Sequence, residues 1–364
     1  MRWGAPRAVM ETEALLRYLH AGGQQPALDD LAGAELEARR LELEGALYAA
    51  LRARDHLGLA PEALAQRLRR AHAEAAVHNL SLVGASSEIR AALAARGVDA
   101  YALKGVSLLE QGVITNLGAR TCVDLDLLTR PADRAKVVST LRELGFETSG
   151  AGGAPKHLPD FVRGTVIVEV HETAFWGRDG RRFGLDDLKA EPEPLAFALV
   201  HLVHHMFVSS ILEPPLAVKT LADVVEIARF ARAEEVLSRA YRLASLCRVG
   251  RELAFLLDAS RAFEHGTAND STRRFLEACR EPTELGWLMR IGGFYWNGLF
   301  HSPPWFRRDL VASVLAPSRA SMERIYGLEP SSWWVYPAYL FRPVHLTARA
   351  LQRLTRAARH LRRS

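Results

Sequence analysis

Cysteine is scarce. Three thiols, Cys122, Cys247 and Cys279, are spread over 364 residues and match no metal or redox spacing. That sparse, odd set excludes a disulfide framework and suits a reducing compartment. Long apolar runs are absent too: no stretch of about 18 uninterrupted apolar residues offers to span a membrane. The N-terminus, MRWGAPRAVMETEALLRYLHAGG, has acidic residues where a signal peptide carries its apolar stretch. Internal repeats are missing as well. These absences lead to the expectation of a cytoplasmic protein. What is present is ordinary for a globular chain, with 49% hydrophobic and 24% charged residues. A formal charge of +5 and a pI near 9.3 permit a polyanionic partner such as a nucleotide or RNA without requiring one.

The chain is long enough for two or three structural units. Residues 11–97 read as helices: ETEALLRYLHAGG, then ELEARRLELEGALYAALRARDHLG as a second, then one or two more from Pro61 to a capping Gly97. The texture changes at Val98. VDAYALKG reads as a short strand, SLLEQGVI as a helix and TCVDLDLLT as a strand. PADRAKVVSTLRELGF then reads as a helix closed by Gly145, and GTVIVEVHET as a further strand. From about residue 184 the pattern is helical again. The expected fold is α+β, a small mixed β-sheet flanked by α-helical regions: residues 1–97, a core at 98–183, and 184–364.

The strand around Val123–Leu128 carries two aspartates with one residue between them. Strand side chains alternate in direction, so Asp124 and Asp126 share a face, roughly 6.6 Å apart along the chain. Val123, Leu125 and Leu127 are expected to fill the other face. On TVIVEVHET, Ile167, Glu169 and His171 share one face and Val166, Val168 and Val170 the other. If the two strands pair, three carboxylates converge, the ligand set that two Mg²⁺ ions roughly 3.5–4 Å apart require. Magnesium favours oxygen donors and keeps positions open for substrate phosphates. Upstream, Lys104 and Gly105 stand at a strand-to-helix turn, where backbone N–H groups can approach a phosphate. A turn glycine is the commoner meaning of such a pair. Arg120, four residues before Asp124, can reach a triphosphate or sit as a surface arginine.

Taken in order, LKG at 103–105, Arg120, DLDLL at 124–128 and VEVH at 168–171 resemble the uncharacterised nucleotidyltransferase family of the DNA polymerase β superfamily. The likeness extends over roughly residues 60–230, through HLVHH at 201–205 and LADVVEIAR at 221–229. It implies Mg²⁺ ligation by Asp124, Asp126 and Glu169, with Glu169 also helping to deprotonate an acceptor hydroxyl. It implies nucleotide contacts by Lys104, Gly105, Ser107, Arg120 and His171. Lys104–Gly105 replaces the glycine–serine pair usual in the superfamily, with Ser107 nearby, and Glu169 stands where Asp is commoner. The implied reaction is attack of an acceptor on the α-phosphate of an NTP with release of pyrophosphate. The acceptor is a small molecule, peptide or protein. Nucleotide addition to RNA and a catalytically idle binding protein are the rivals. His171 is balanced between a phosphate- or Glu169-directed role and that of a satisfied strand histidine.

Other signals point elsewhere. His201 and His205 lie one helical turn apart, a zinc-compatible spacing, but with no third ligand they read as packing or capping histidines. Asp223 reads as a helix anchor, with one of those histidines a candidate partner. The C-terminal RPVHLTARALQRLTRAARHLRRS holds seven arginines and no acids, a basic amphipathic helix able to bind RNA or an anionic membrane surface or simply to dock. The aromatic stretch WWVYPAYLF at 333–341 is either core or an acceptor-facing surface.

Overall fold

A computed structural model describes residues 7–20, 31–149, 158–176, 181–206, 214–230, 233–247, 249–265 and 332–342, with isolated positions beyond 265. The C-terminal basic stretch lies almost wholly outside the described residues. Four helices lead: α1 (Arg7–His20), α2 (Leu31–Arg40), α3 (Glu44–Ala53) and the 33-residue α4 (Glu62–Ala94). The single helix expected over 35–58 is two, because Glu42 adopts a left-handed φ of 57° and turns the chain. Gly97 takes φ 69° just past α4, a backbone state that costs glycine least.

The sheet region runs β1 (Tyr101–Ala102), α5 (Lys104–Glu110), β2 (Leu125–Leu128), α6 (Arg134–Glu143), β3 (Glu147–Thr148), β4 (Phe161–Arg163) and β5 (Val166–His171). A separate hairpin follows, β6 (Phe175–Trp176) with β7 (Arg182–Phe183). Then come α7 (Leu185–Ala190), α8 (Pro194–His204), α9 (Pro214–Arg229), α10 (Ala233–Leu246) and α11 (Gly250–Glu264). The five-stranded sheet has the order β1-β2-β5-β4-β3, with β2 and β5 parallel and the other neighbours antiparallel. The architecture is therefore α+β, a mixed sheet among helices. Sequence periodicity missed β3 and β4, which are two and three residues long. Among the described residues no helix is long and apolar enough to cross a membrane.

Two cores divide the work. One gathers Leu125 and Leu127 of β2, Val166, Val168 and Val170 of β5, Val137 and Leu141 of α6, and the later half of α4. The other joins Leu15, Leu16 and Tyr18 of α1 to Leu253, Leu256 and Phe263 of α11 and to residues of α8, so helices far apart in the chain share one interior. Along α4 the buried stripe runs Leu64, Leu68, Ala75, Asn79, Leu82, Ser86, Ile89 and Leu93, at spacings of three, four and seven. Its two polar members are anchors. Asn79 donates to the carbonyls of Leu117 (2.7 Å) and Arg120 (2.6 Å) and accepts from the Cys122 N–H at 3.3 Å. Ser86 donates to Glu110 at 2.7 Å. Together they hold the 117–122 loop and α5 beside the sheet.

Candidate active site

β2 is shorter than expected. It begins at Leu125, so Asp124 immediately precedes it and Val123 is 54% exposed rather than packed with Leu125 and Leu127. The parallel register sets Asp126 against Glu169 and Leu128 against His171. Alternation then turns Asp126, Glu169 and His171 to the same side, opposite the valine-rich core. One ligand atom from each lies within 4.8 Å of the others, a group that could hold a metal ion.

Donors crowd one oxygen. Asp126 Oδ1 receives Lys104 Nζ at 2.7 Å and His171 Nε2 at 2.7 Å, and His171 Nε2 is 3.5 Å from Glu169 Oε2. Lys104 reaches in from the start of α5 with φ 49°, a strained left-handed conformation for a lysine. Burial alone would raise the Asp126 carboxyl, but Lys104 and His171 hold it well below the usual range. Burial opposes charge on Lys104 and His171 too. Asp126, with Asp124 and Glu169, keeps the lysine above its ordinary value, and hydrogen bonds to Asp126 and Glu169 do the same for the histidine. Asp124 goes the other way: burial, then repulsion from Asp126 and Glu169, pushes it up to about 6 despite Lys104 and His171.

Two sequence candidates sit apart from this patch. Ser107 is 1% exposed and accepts from Gln111 Nε2 at 2.7 Å, so its hydroxyl is spent inside the fold. Arg120 grips Asp223 of α9 through Nε and Nη2 at 2.7 and 2.8 Å and turns Nη1 toward the Cys122 sulfur at 3.2 Å. Burial works against that guanidinium, yet Asp223 raises its pKa further. Gly105 is the surface the guanidinium rests on: a Cβ there would stand 2.2 Å from Arg120 Nη1 and 2.7 Å from Cys122 Sγ. The glycine thus serves close packing of Arg120 over α5. Asp223 pairs with Arg120, not with a histidine. His201 Nδ1 instead donates to the Ala174 carbonyl at 3.0 Å, and its ring lies 6.0 Å from that of His205. Burial, then the charges of Lys104 and His171, lowers His201 to about 3, so it stands neutral beside the patch. The residue that sequence reasoning missed is Asn79. A lone amide inside the apolar stripe of α4 was its signal. Trp333 and Trp334, stacked at 4.2 Å, are exposed, as are Tyr336 and Phe341.

A family model described as an uncharacterised nucleotidyltransferase matches residues 37–263. The chain belongs to this family. No curated protein and no solved structure matches it. The matched span takes in α3 to α10, the whole five-stranded sheet and most of α11. It therefore contains the acid patch, the Arg120–Asp223 pair and the Asn79 anchor.

Proposed function

We propose that this nucleotidyltransferase moves a nucleoside monophosphate from an NTP to a small-molecule, peptide or protein acceptor, with Mg²⁺ as cofactor and pyrophosphate as the leaving product. The observation that carries the reading is the pairing of Asp126 with Glu169 across parallel strands, with Asp124 one residue outside β2 in the same field. An oxygen-rich set of carboxylates fits a hard divalent cation, and Asp126, Glu169 and Asp124 are the residues that would hold it. A divalent ion held there would offset charge on the phosphate oxygens and acidify the attacking group.

The remaining roles fall to the chain's own groups. The acceptor oxygen bonds to the α-phosphorus, the bond from that phosphorus to the bridging oxygen breaks, and pyrophosphate departs with the electron pair. The proton leaving the acceptor passes to Glu169, the more exposed of the two paired acids (24% against 2%). Lys104 brings its ammonium to the same face, where it would meet the β- and γ-phosphates. His171 holds Asp126 and Glu169 in one orientation through Nε2. Gly105 and Arg120 shape the floor beneath, while Ser107 contributes packing rather than a phosphate contact. We read the protein as cytoplasmic.

The test uses Mg²⁺ and NTPs labelled at the α- or the γ-phosphate, with cell extract as acceptor source. Label from the α position should appear in product and vanish in Asp126→Asn and Asp124→Asn. Movement of γ label alone would refute the assignment in favour of a kinase. α label in RNA would redirect it to RNA addition.

A further inference from the structure

A cavity of about 470 Å³ opens between α1, α3, α9 and the 113–121 loop, with the Arg120–Asp223 pair in its lining. That volume falls in the roughly 300–1,000 Å³ range of small-molecule sites. The packing around it is built. Gly45 of α3 abuts the Gly118 carbonyl so closely that a Cβ would stand 1.9 Å away, and Asn116 Oδ1 accepts from His72 Nε2 (2.8 Å) and the Gly118 N–H (3.1 Å). Beyond this contact α3 presents Ala46, Ala49, Ala50 and Ala53, one smooth face at spacings of three and four. The facing wall of α9 carries Lys219, Asp223 and Glu226.

One feature of the lining points to a ligand. His20 is 6% exposed, its Nδ1 lies 3.3 Å from Glu226 Oε1, and its Nε2 has no hydrogen-bond partner among the described residues. A buried ring nitrogen without a partner is costly unless something fills the space and bonds to it. Arg120 and Thr121 line the cavity, and the Arg120 guanidinium lies against Gly105, the neighbour in sequence of Lys104, which pairs with Asp126.

We propose that this cavity is the acceptor site, and that the acceptor is a small organic molecule, neutral or amine-bearing, with a flat apolar body. The inference rests on the nucleotidyl-transfer reading above. The alanine face suits a ring. The cations of the lining are engaged, Arg120 with Asp223, Lys219 with Glu42 and Arg54 over the Tyr18 ring, so the triphosphate is left to the Lys104 side. His20 Nε2 and Glu226 are the groups that orient the guest, while its hydroxyl or amine faces the α-phosphate past Arg120. That nucleophile bonds to the α-phosphorus as pyrophosphate leaves, and its proton passes to Glu169.

The test is a covalent plug. Ala53 lines the cavity and is exposed, so Ala53→Cys can be capped with N-ethylmaleimide in the full chain, with equally treated wild type as control. Cys122 and Cys247 are buried. The four α-labelled NTPs are supplied with whole cell extract, label is read in the low-molecular-weight fraction as well as in protein and in RNA, and NTP binding is followed in parallel by calorimetry. Capping should lower transfer into that fraction at least tenfold and leave NTP affinity within twofold. Independently, Glu226→Leu should raise the acceptor KM at least fivefold with the NTP KM unchanged. Undiminished transfer after capping overturns the proposal. So does a parallel loss of NTP affinity, which would make the cavity a nucleoside site, and so does label found only in protein or RNA. Failure of the uncapped protein to bind any NTP or to move any α label removes the parent reading, and this assignment with it.

Discussion

Two buried ion pairs lie close together in this protein and differ in kind. Lys104 and Asp126 are 15% and 2% exposed; Arg120 and Asp223 are 14% and 3%. By burial they are twins. Arg120 meets Asp223 with two parallel hydrogen bonds, and both groups join helix α9 to the loop before β2. Such a bidentate pair closes on itself and acts as a strut. Asp126 instead shares one oxygen between a lysine and a histidine, faces Glu169 across the sheet and repels Asp124. The lesson is that burial of charge does not separate scaffold from site. What separates them is whether the charges balance locally.

The comparison breaks most sharply under substitution. Asp126→Asn should cut nucleotidyl transfer on the order of a thousandfold, the several kcal/mol of transition-state stabilisation a metal ligand supports, while circular dichroism and cooperative unfolding persist. Retained activity would show that the patch is not the site. Asp223→Ala should instead cost stability, about 3–5 kcal/mol, because Arg120 is left buried and unpaired; urea unfolding reads it, and a loss under about 1 kcal/mol would remove the strut. Asp124→Asn sharpens the contrast, since it should stabilise the metal-free protein by about 1–3 kcal/mol at pH 7.5. Its folded pKa of about 6 lies above the unfolded value, so the ionised form costs stability above pH 6. The gain should therefore shrink as pH falls from 6 toward 4, and a destabilised variant at pH 7.5 would contradict the raised, buried carboxyl.

The smallest effect is at His201. Its folded pKa of about 3 lies below the unfolded value, so the unfolded chain binds more protons between those limits. Wild type should lose stability relative to His201→Gln as pH drops from 6.5, with a slope approaching about 1.4 kcal/mol per pH unit. Parallel pH profiles of the two would contradict the buried neutral ring.

Much of the sheet was legible because alternation is a local property. Val166, Val168 and Val170 against Glu169 and His171 assign faces without any knowledge of neighbours, and DLDLL does the same for Asp126. The strand start failed at Val123, where exposure outweighs an apolar side chain's strand preference. The break at Glu42 also escaped, since a left-handed turn in a glutamate leaves no compositional mark. His171 could be weighed but not placed, because its meaning depends on which strand lies beside β5.

By itself, then, the chain determined the α+β class and the faces of β5, since periodicity is written residue by residue, and its motifs carried the resemblance to the family. Tertiary structure alone decided the partners. It set Asp126 opposite Glu169, gave Arg120 to Asp223 across 103 positions of sequence, and brought α1 against α11 in one core. The physical reason is that a buried charge takes its character from the nearest opposite charge, and for these groups that neighbour lies on another element, which local periodicity does not encode.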